Sequence, residues 1–231
     1  MFVKSICYRM MIISMGCFIA FLVLKNLLHA ESSYSETIEI LQTLYEDEIQ
    51  AFHNYRAYAR KAESENHPNI AKIFVAFATS ESIHARNFKK ILSELGAEPQ
   101  KLPEFRVEVS STKKNLNRAT RVELEEIDKK YPHFVETLKS ENHEAAIQFA
   151  TYAWESEQQH RDMIKRIESG TGIFFGLLKK EFQETLTDYF VCQNCGSTLT
   201  EIPNATCPIC GGSASNYQKI DANHQGSSLA Q

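Results

Sequence analysis

Glu81-Ser82-Ile83-His84 and, 76 residues further on, Glu157-Gln158-Gln159-His160 repeat one acid and one imidazole three positions apart. On a helix that spacing places both side chains of each pair on the same face. The same offset carries Tyr55 onto Tyr131 and Ser64-Glu65-Asn66-His67 onto Ser140-Glu141-Asn142-His143. A repeat of this length, with matching chemistry at each copy, describes two helical hairpins of common ancestry. The two Ser-Glu-Asn-His copies read as turns between helices with N-capping, not as metal ligands.

Working outward, apolar or small residues at helical spacing run from Thr37 to Ala62 through Leu41, Leu44, Tyr45, Ala51, Phe52, Tyr55, Tyr58 and Ala59. A second row runs from Asn69 to Leu95 through Ile73, Phe74, Phe77, Ala78, Ala85, Phe88 and Ile91, and Gly96 stops it. Residues 97–118, with Pro99, Pro103 and a short Val107-Glu108-Val109 segment, form a long connection. Helices follow over Thr120 to Lys139 and His143 to Ser169. Four helices with one long crossover between the second and third predict an all-α, ferritin-like four-helix bundle over residues 34–170.

Acidic residues interrupt every apolar stripe. Glu48 lies between Leu44 and Tyr55, Glu81 and His84 continue the row Ile70, Phe74 and Phe77, Glu123 and Glu126 sit between Ala119 and Phe134, and Glu157 and His160 follow Phe149 and Ala153. A buried carboxylate costs several kcal/mol unless it is paired, and no basic residue occupies the same stripes. Metal ions supply the missing positive charge. A carboxylate majority with imidazole suits iron or manganese better than a four-coordinate structural zinc.

The cysteines divide by position. Cys7 and Cys17 fall in an apolar leader, and Cys192, Cys195, Cys207 and Cys210 fall near the other end, so the body is not a disulfide scaffold. Cys-x2-Cys-x11-Cys-x2-Cys forms two knuckles that bind one tetrahedral metal, and spacing alone leaves iron and zinc both open. A short connecting helix over 171–187 leads to this module at 188–220, and the polar residues 221–231 read as a disordered tail. In the leader, Lys4 and Arg9 precede the uncharged stretch Met10 to Leu24, the layout of a secretory signal over residues 1–30. Extension through Leu27 and Leu28 keeps an uncleaved anchor as the alternative. Without Lys4, Arg9 and Lys25, the remaining chain carries 22 basic and 29 acidic residues, which excludes nonspecific nucleic-acid binding.

With the cysteine module added, residues 36 to 220 resemble rubrerythrin. The residues that carry the resemblance are Glu48 with Tyr55, Glu81-x-x-His84, Glu123-x-x-Glu126 followed by Tyr131-Pro132-x-Phe134, Glu157-x-x-His160, Cys192-x-x-Cys195-Gly196 and Cys207-Pro208-x-Cys210-Gly211. The resemblance implies that Glu81 and Glu157 bridge two irons, with Glu48 and Glu126 on one and Glu123 and His160 on the other. It implies that His84 replaces Glu126 on reduction, and that Tyr55 and Tyr131 donate hydrogen bonds to the carboxylates. By the same resemblance the cysteine module is rubredoxin-like and holds one iron, with zinc as the alternative. Ser197 and Thr198 depart from the rubredoxin pattern, which usually has an aromatic or β-branched pair there.

One spacing is this chain's own. Glu48 precedes Tyr55 by seven residues but Glu123 precedes Tyr131 by eight, so the third helix has gained a residue. A π-bulge there would turn Glu123 and Glu126 together into the site.

The activity implied is that of a non-haem di-iron peroxidase reducing hydrogen peroxide to water, with electrons relayed through the four-cysteine iron. The alternatives are a ferroxidase or iron-storage protein, and a zinc-stabilised metal-binding or redox-sensing interaction protein. The resemblance also implies a head-to-tail homodimer, which would bring each bundle a cysteine module from another chain. The leader implies export to the periplasm or the outer side of the inner membrane, with membrane contact only if it stays uncleaved. Rubrerythrins of the cytosol usually draw electrons from NAD(P)H through a reductase, so an exported one needs another external donor, whose identity the sequence leaves open.

Overall fold

The computed structural model describes residues 34–102, 104, 106–170 and 187–221. The leader, most of the expected connecting helix and all but the first residue of the tail lie outside that set. Among the described residues no helix is long and apolar enough to cross a membrane.

Helix α1, Ser35–Ser64, and helix α2, Pro68–Glu94, pair as a hairpin. Pro68 opens α2, where its missing N–H costs nothing. Asn66 makes the turn with φ 61°, and Asn142 at the equivalent place in the second repeat has φ 56°. Asparagine tolerates this left-handed conformation better than most residues. The Ser-Glu-Asn-His copies are therefore turns. Their capping differs, since His143 Nδ1 accepts the Ala146 N–H at 3.1 Å while His67 makes no side-chain cap.

The third rod of the bundle is α3, Thr112–Glu125, then a π-helical segment, Glu126–Lys130, then α4, Tyr131–Glu141. It begins eight residues before the start that periodicity predicts, because its first turn is held by distant groups. Glu65 Oε2 accepts the Thr112 N–H at 2.8 Å, and the Asn115 amide bonds the N–H and the carbonyl of Ser110. Leu116 and Ala119 are then buried in the core. Helix α5, Glu144–Gly170, completes the bundle.

The two repeats cap each other. Glu65 ends α1 in the turn of the first hairpin and caps the start of α3, while its repeat mate Glu141 accepts the N–H groups of Glu36 and Thr37 at 3.1 and 2.8 Å at the start of α1. Hydrogen bonds from Thr112 and Lys61 pull the Glu65 carboxyl down to about 2.

Apolar residues gather in two clusters, one around Tyr55, Phe74, Phe77, Leu116 and Ile164, the other around Leu41, Leu44, Phe88, Tyr131, Leu138 and Ala150. Along α1, α2 and α5 the acid and histidine positions fall where one cluster gives way to the other. The cysteine module is a three-stranded antiparallel sheet in the order β2 (Thr198–Leu199), β1 (Phe190–Cys192), β3 (Tyr217–Lys219). Its Tyr189, Val191 and Ile220 join the first apolar cluster of the bundle, so module and bundle share a core.

Replacing Glu141 by Ala removes the acceptor for two N–H groups at the start of α1. The expected loss is about 0.5–1 kcal/mol in denaturant unfolding, at the low end for a cap because the carboxylate is partly exposed. An unchanged unfolding midpoint would rule out the reciprocal caps as a stabilising feature.

Candidate metal centres

Glu48 from α1, Glu81 and His84 from α2, and Glu157 from α5 bring one ligand atom each within 4.8 Å of one another, and all four residues are buried. His84 Nδ1 lies 3.1 Å from Glu81, 3.3 Å from Glu157 and 3.5 Å from Glu48. His160 Nδ1 lies 3.1 Å from Glu157 and 3.4 Å from Glu81. Glu81 and Glu157 thus stand between the two imidazoles. Glu126 is half-buried on the π segment, and Glu123 sits on α3 three residues earlier, its side chain outside the described set.

The ring nitrogens are assigned by their partners. His84 Nε2 donates to the Cys195 carbonyl at 3.2 Å. His160 Nε2 faces Thr198 Oγ1 at 3.3 Å, and because that hydroxyl donates to the Gly196 carbonyl it accepts from the imidazole. Both histidines therefore turn Nδ1 toward the acids, with the opposite N–H anchored as in metal-ligating imidazoles.

Electrostatics fit a cation site. Burial, with the charges of Glu157 and Glu81 adding, pushes Glu48 up to about 7 against the lowering pull of His84. Burial by itself would lower His160, but the charges of Glu81 and Glu157, with the hydrogen bond to Glu157, raise it to about 9. His84 is likewise driven up, by Glu48, Glu157 and Glu81, against its burial. Glu126 is raised by burial and then by Glu157 and Glu48, so its charge faces the same cluster. Both oxygens of Glu81 and Nδ1 of His84 are buried without a hydrogen-bond partner. Orphaned donor atoms of this kind, mostly carboxylate oxygen with imidazole, are the set that a pair of hard divalent or trivalent cations satisfies.

The π segment expected from the extra residue is present. The Tyr131 N–H donates to the Glu126 carbonyl five residues back. The segment is fixed from both sides. Lys130 pairs with Asp47 and the Tyr131 hydroxyl donates to Glu48 Oε1 at 2.6 Å, while the Trp154 indole N–H donates to the Ile127 carbonyl at 3.0 Å. Tyr55, the repeat mate of Tyr131, stacks on Phe74 at 5.8 Å and meets Phe77 edge-on at 5.6 Å; Phe77 in turn lies 4.2 Å from the His160 ring.

The second centre is Cys192, Cys195, Cys207 and Cys210, whose sulfurs also lie within 4.8 Å of one another. A hydrogen bond from Cys195 and the N–H groups of Asn194 and Cys195 bring the Cys192 thiol down to about 5 against its burial, leaving a thiolate ready for metal.

Sequence reasoning missed how the two centres meet. Four consecutive carbonyls of the first knuckle, from Gln193 to Gly196, receive Arg86 at 2.5 Å, Asn87 at 2.9 Å, His84 at 3.2 Å and Ser80 at 2.8 Å. Ser80, His84 and Asn87 lie at helical spacing along one face of α2, which is the docking face. Ser80 and its repeat mate Ser156 touch at 3.2 Å where the two repeats meet. A side chain on Gly196 would come 2.3 Å from His84 Nε2, and its φ of 83° disfavours one in any case. The cysteine module of this chain therefore sits on its own bundle, and the contact needs no second copy. The only visible signal was polar residues on a helix buried almost all round.

Two outcomes follow for the metal-free chain. Glu48 and His160 both titrate in the fold above their ordinary values of 4.5 and 6.5, so the folded chain binds extra protons until pH passes about 7 and about 9. Their stabilising contribution is present on the acid side and lost as pH rises, so thermal unfolding should occur at a lower temperature at pH 9 than at pH 5.5. Metal uptake, which displaces those protons, should tighten over the same range. Separately, Trp154→Phe should cost about 1 kcal/mol and alter the visible spectrum of the iron-loaded bundle, because the hydrogen bond holding the π segment is lost while the ring's packing is kept. An unaltered spectrum would detach Trp154 from the positioning of Glu126.

Comparison with known proteins agrees with this geometry. The rubrerythrin family profile matches residues 39–168. The chain is 28% identical to rubrerythrin-2 of Clostridium acetobutylicum over 182 residues, covering 79% of this chain and 95% of that protein. It is 28% identical to a rubrerythrin of Porphyromonas gingivalis over 197 residues, covering 82% and 92%. Among solved structures, fully reduced, all-ferrous nigerythrin superposes with a TM-score of 0.66 at 22% identity, covering 80% of this chain and 86% of that one. The bacterioferritin of Desulfovibrio desulfuricans superposes with a TM-score of 0.63 at 22% identity, covering 68% and 91%. These last two likenesses concern the fold.

Proposed function

Because this chain belongs to the rubrerythrin family, we propose that it is a non-haem di-iron peroxidase that reduces hydrogen peroxide to two waters with two electrons and two protons. Its cofactors are a pair of irons in the bundle and one further iron or zinc in the four-cysteine site. The observation that carries the reading is the hydrogen bond between His84 and the Cys195 carbonyl, with His84 Nδ1 turned into the acid cluster. A ferroxidase needs no attached electron carrier, whereas here a cysteine-site backbone touches a histidine of the bundle centre.

Glu48, Glu81, His84, Glu126, Glu157 and His160 would hold the iron pair, with Glu123 the remaining candidate. Bound there, the irons supply two reducing equivalents and polarise the O–O bond. The protein's part is positional. The Tyr131 hydroxyl donates to Glu48 Oε1 and so orients its other oxygen toward the cluster, 3.5 Å from His84. Apolar clusters on both sides exclude water, which strengthens every charge inside. Glu126, whose carboxyl is driven well up by burial and its acidic neighbours, is the group suited to hold a proton beside the cluster when it is not bound to metal.

As part of the same reading, residues 1–30 direct export, and an external one-electron donor serves the cysteine site. The docking within one chain supports electron transfer from that chain's own cysteine site, and a head-to-tail homodimer stays part of the same reading.

The test is stopped-flow absorbance on residues 31–231, iron-loaded and reduced without oxygen, then mixed with peroxide. The ferric tetrathiolate colour should return rapidly and faster than with dissolved oxygen. Oxidation indifferent to peroxide would transfer the assignment to ferroxidase, and a cysteine site that retains only zinc, with negligible turnover, to a binding protein. Gly196→Ala should slow the return of colour at least tenfold and also alter the spectrum of the bundle irons, because the added methyl pushes the knuckle off His84, whose ring it orients.

A further inference from the structure

The two residues that depart from the rubredoxin pattern, Ser197 and Thr198, are both buried against the bundle. Thr198 backs His160 through its hydroxyl, and its N–H donates to Gln159 Oε1 at 3.0 Å. Ser197 does something different. Its hydroxyl lies 2.8 Å from the hydroxyl of Tyr217 and 3.1 Å from Gln159 Oε1, and the Tyr217 hydroxyl donates to Cys207 Sγ at 3.2 Å. Tyr217 and Ser197 are buried, so no bulk water competes for these protons.

Proton counting fixes the bond to sulfur and leaves the Tyr217 oxygen as an acceptor. A metal-bound thiolate can only accept, so the single Tyr217 proton goes to Cys207 Sγ and the phenol oxygen is free to accept. The single Ser197 proton has two acceptors in reach, the Tyr217 oxygen at 2.8 Å and Gln159 Oε1 at 3.1 Å, and the nearer one takes the larger share. The arrangement is Ser197 O–H to Tyr217 oxygen, then Tyr217 O–H to Cys207 sulfur.

We propose that Tyr217, oriented and polarised by Ser197, raises the reduction potential of the four-cysteine iron through its hydrogen bond to Cys207. When that iron gains one electron from an external donor, no bond forms or breaks and the tetrathiolate centre becomes one charge more negative. A hydrogen bond to sulfur stabilises that more negative form further, and such bonds are among the levers that set iron–sulfur potentials. A hydroxyl donor on a side chain, unlike the backbone N–H groups of the knuckles, can be removed by substitution. The inference rests on the reading that this site carries iron and relays electrons.

The experiment is a redox titration of the full chain loaded with iron, following the ferric tetrathiolate absorption. Tyr217→Phe should keep the tetrathiolate spectrum and lower the midpoint potential. Ser197→Ala should lower it by less, since the bond to sulfur survives without its polarising partner. Because a Phe variant could fail to hold metal, the same two variants are also loaded with Co(II), whose thiolate-to-metal charge-transfer band should move to lower energy in both. An unchanged midpoint in Tyr217→Phe with its spectrum intact, or an unmoved cobalt band in both variants, overturns the proposal. Peroxide turnover is read separately. A shifted midpoint in a chain that consumes no peroxide upholds the tuning role and removes the peroxidase reading, and turnover with no shift does the reverse.

Discussion

The structure is organised by the cost of keeping carboxylates away from water. Glu48, Glu81 and Glu157 are each almost wholly buried, and their near cationic neighbours are two imidazoles. Ionised carboxylates in a low-dielectric layer repel one another and lose their hydration, which is why Glu48 and Glu126 bind protons more tightly and the histidines become more basic. The metal-free bundle answers the problem with protons, and the loaded one answers it with cations. The apolar clusters on either side make the choice unavoidable for Glu48, Glu81 and Glu157, which are almost wholly sealed from solvent.

That demand explains why a near-symmetric repeat carries one asymmetric feature. Two hairpins related by the repeat place Glu81 and Glu157, His84 and His160, and Ser80 and Ser156 in matching positions, and they cap each other through Glu65 and Glu141. Among the described residues, the π segment is confined to the third rod. One residue inserted into a regular helix would turn everything beyond it by about 100°, and here the wider turn of Glu126–Lys130 takes up the extra residue. A π turn is a strained device and persists only where its surroundings fix it. Trp154, Lys130 with Asp47, and Tyr131 with Glu48 provide three such anchors from two neighbouring helices.

The bundle was legible in the sequence because its signals are local. Glu48 or His84 on an apolar stripe violates burial rules in a way that period and composition reveal, and the π segment followed from counting seven residues in one copy against eight in the other. The signals that stayed hidden are long-range or carried by backbone. Thr112 starts α3 because a carboxylate 47 residues away accepts its N–H, and nothing in the run Lys113-Lys114-Asn115 announces this. The docking of the module uses backbone carbonyls, which are the same in every sequence. Its side-chain half, Ser80, Arg86 and Asn87, reads as ordinary helix composition until the partner is in place. Ser197 and Thr198 looked like weakened family features because their partners, Tyr217, Gln159 and His160, come from other parts of the chain.

The docking also joins the two centres thermodynamically. Each histidine uses one nitrogen on the acid layer and the other on the first knuckle or the strand after it, so the module completes the orientation of both imidazoles. Loss of the knuckle would leave two buried ring N–H groups unpaired, each costing about 1–3 kcal/mol. Those groups would seek new partners, and the acids in front of them are the nearest. A displaced module would therefore perturb the bundle centre as well as move the cysteine site away from it. At Gly196 the backbone, Ser80 and His84 approach too closely for any side chain. The glycine of the knuckle motif serves the tight turn around the metal, and in this fold it also lets the knuckle come close to the bundle centre.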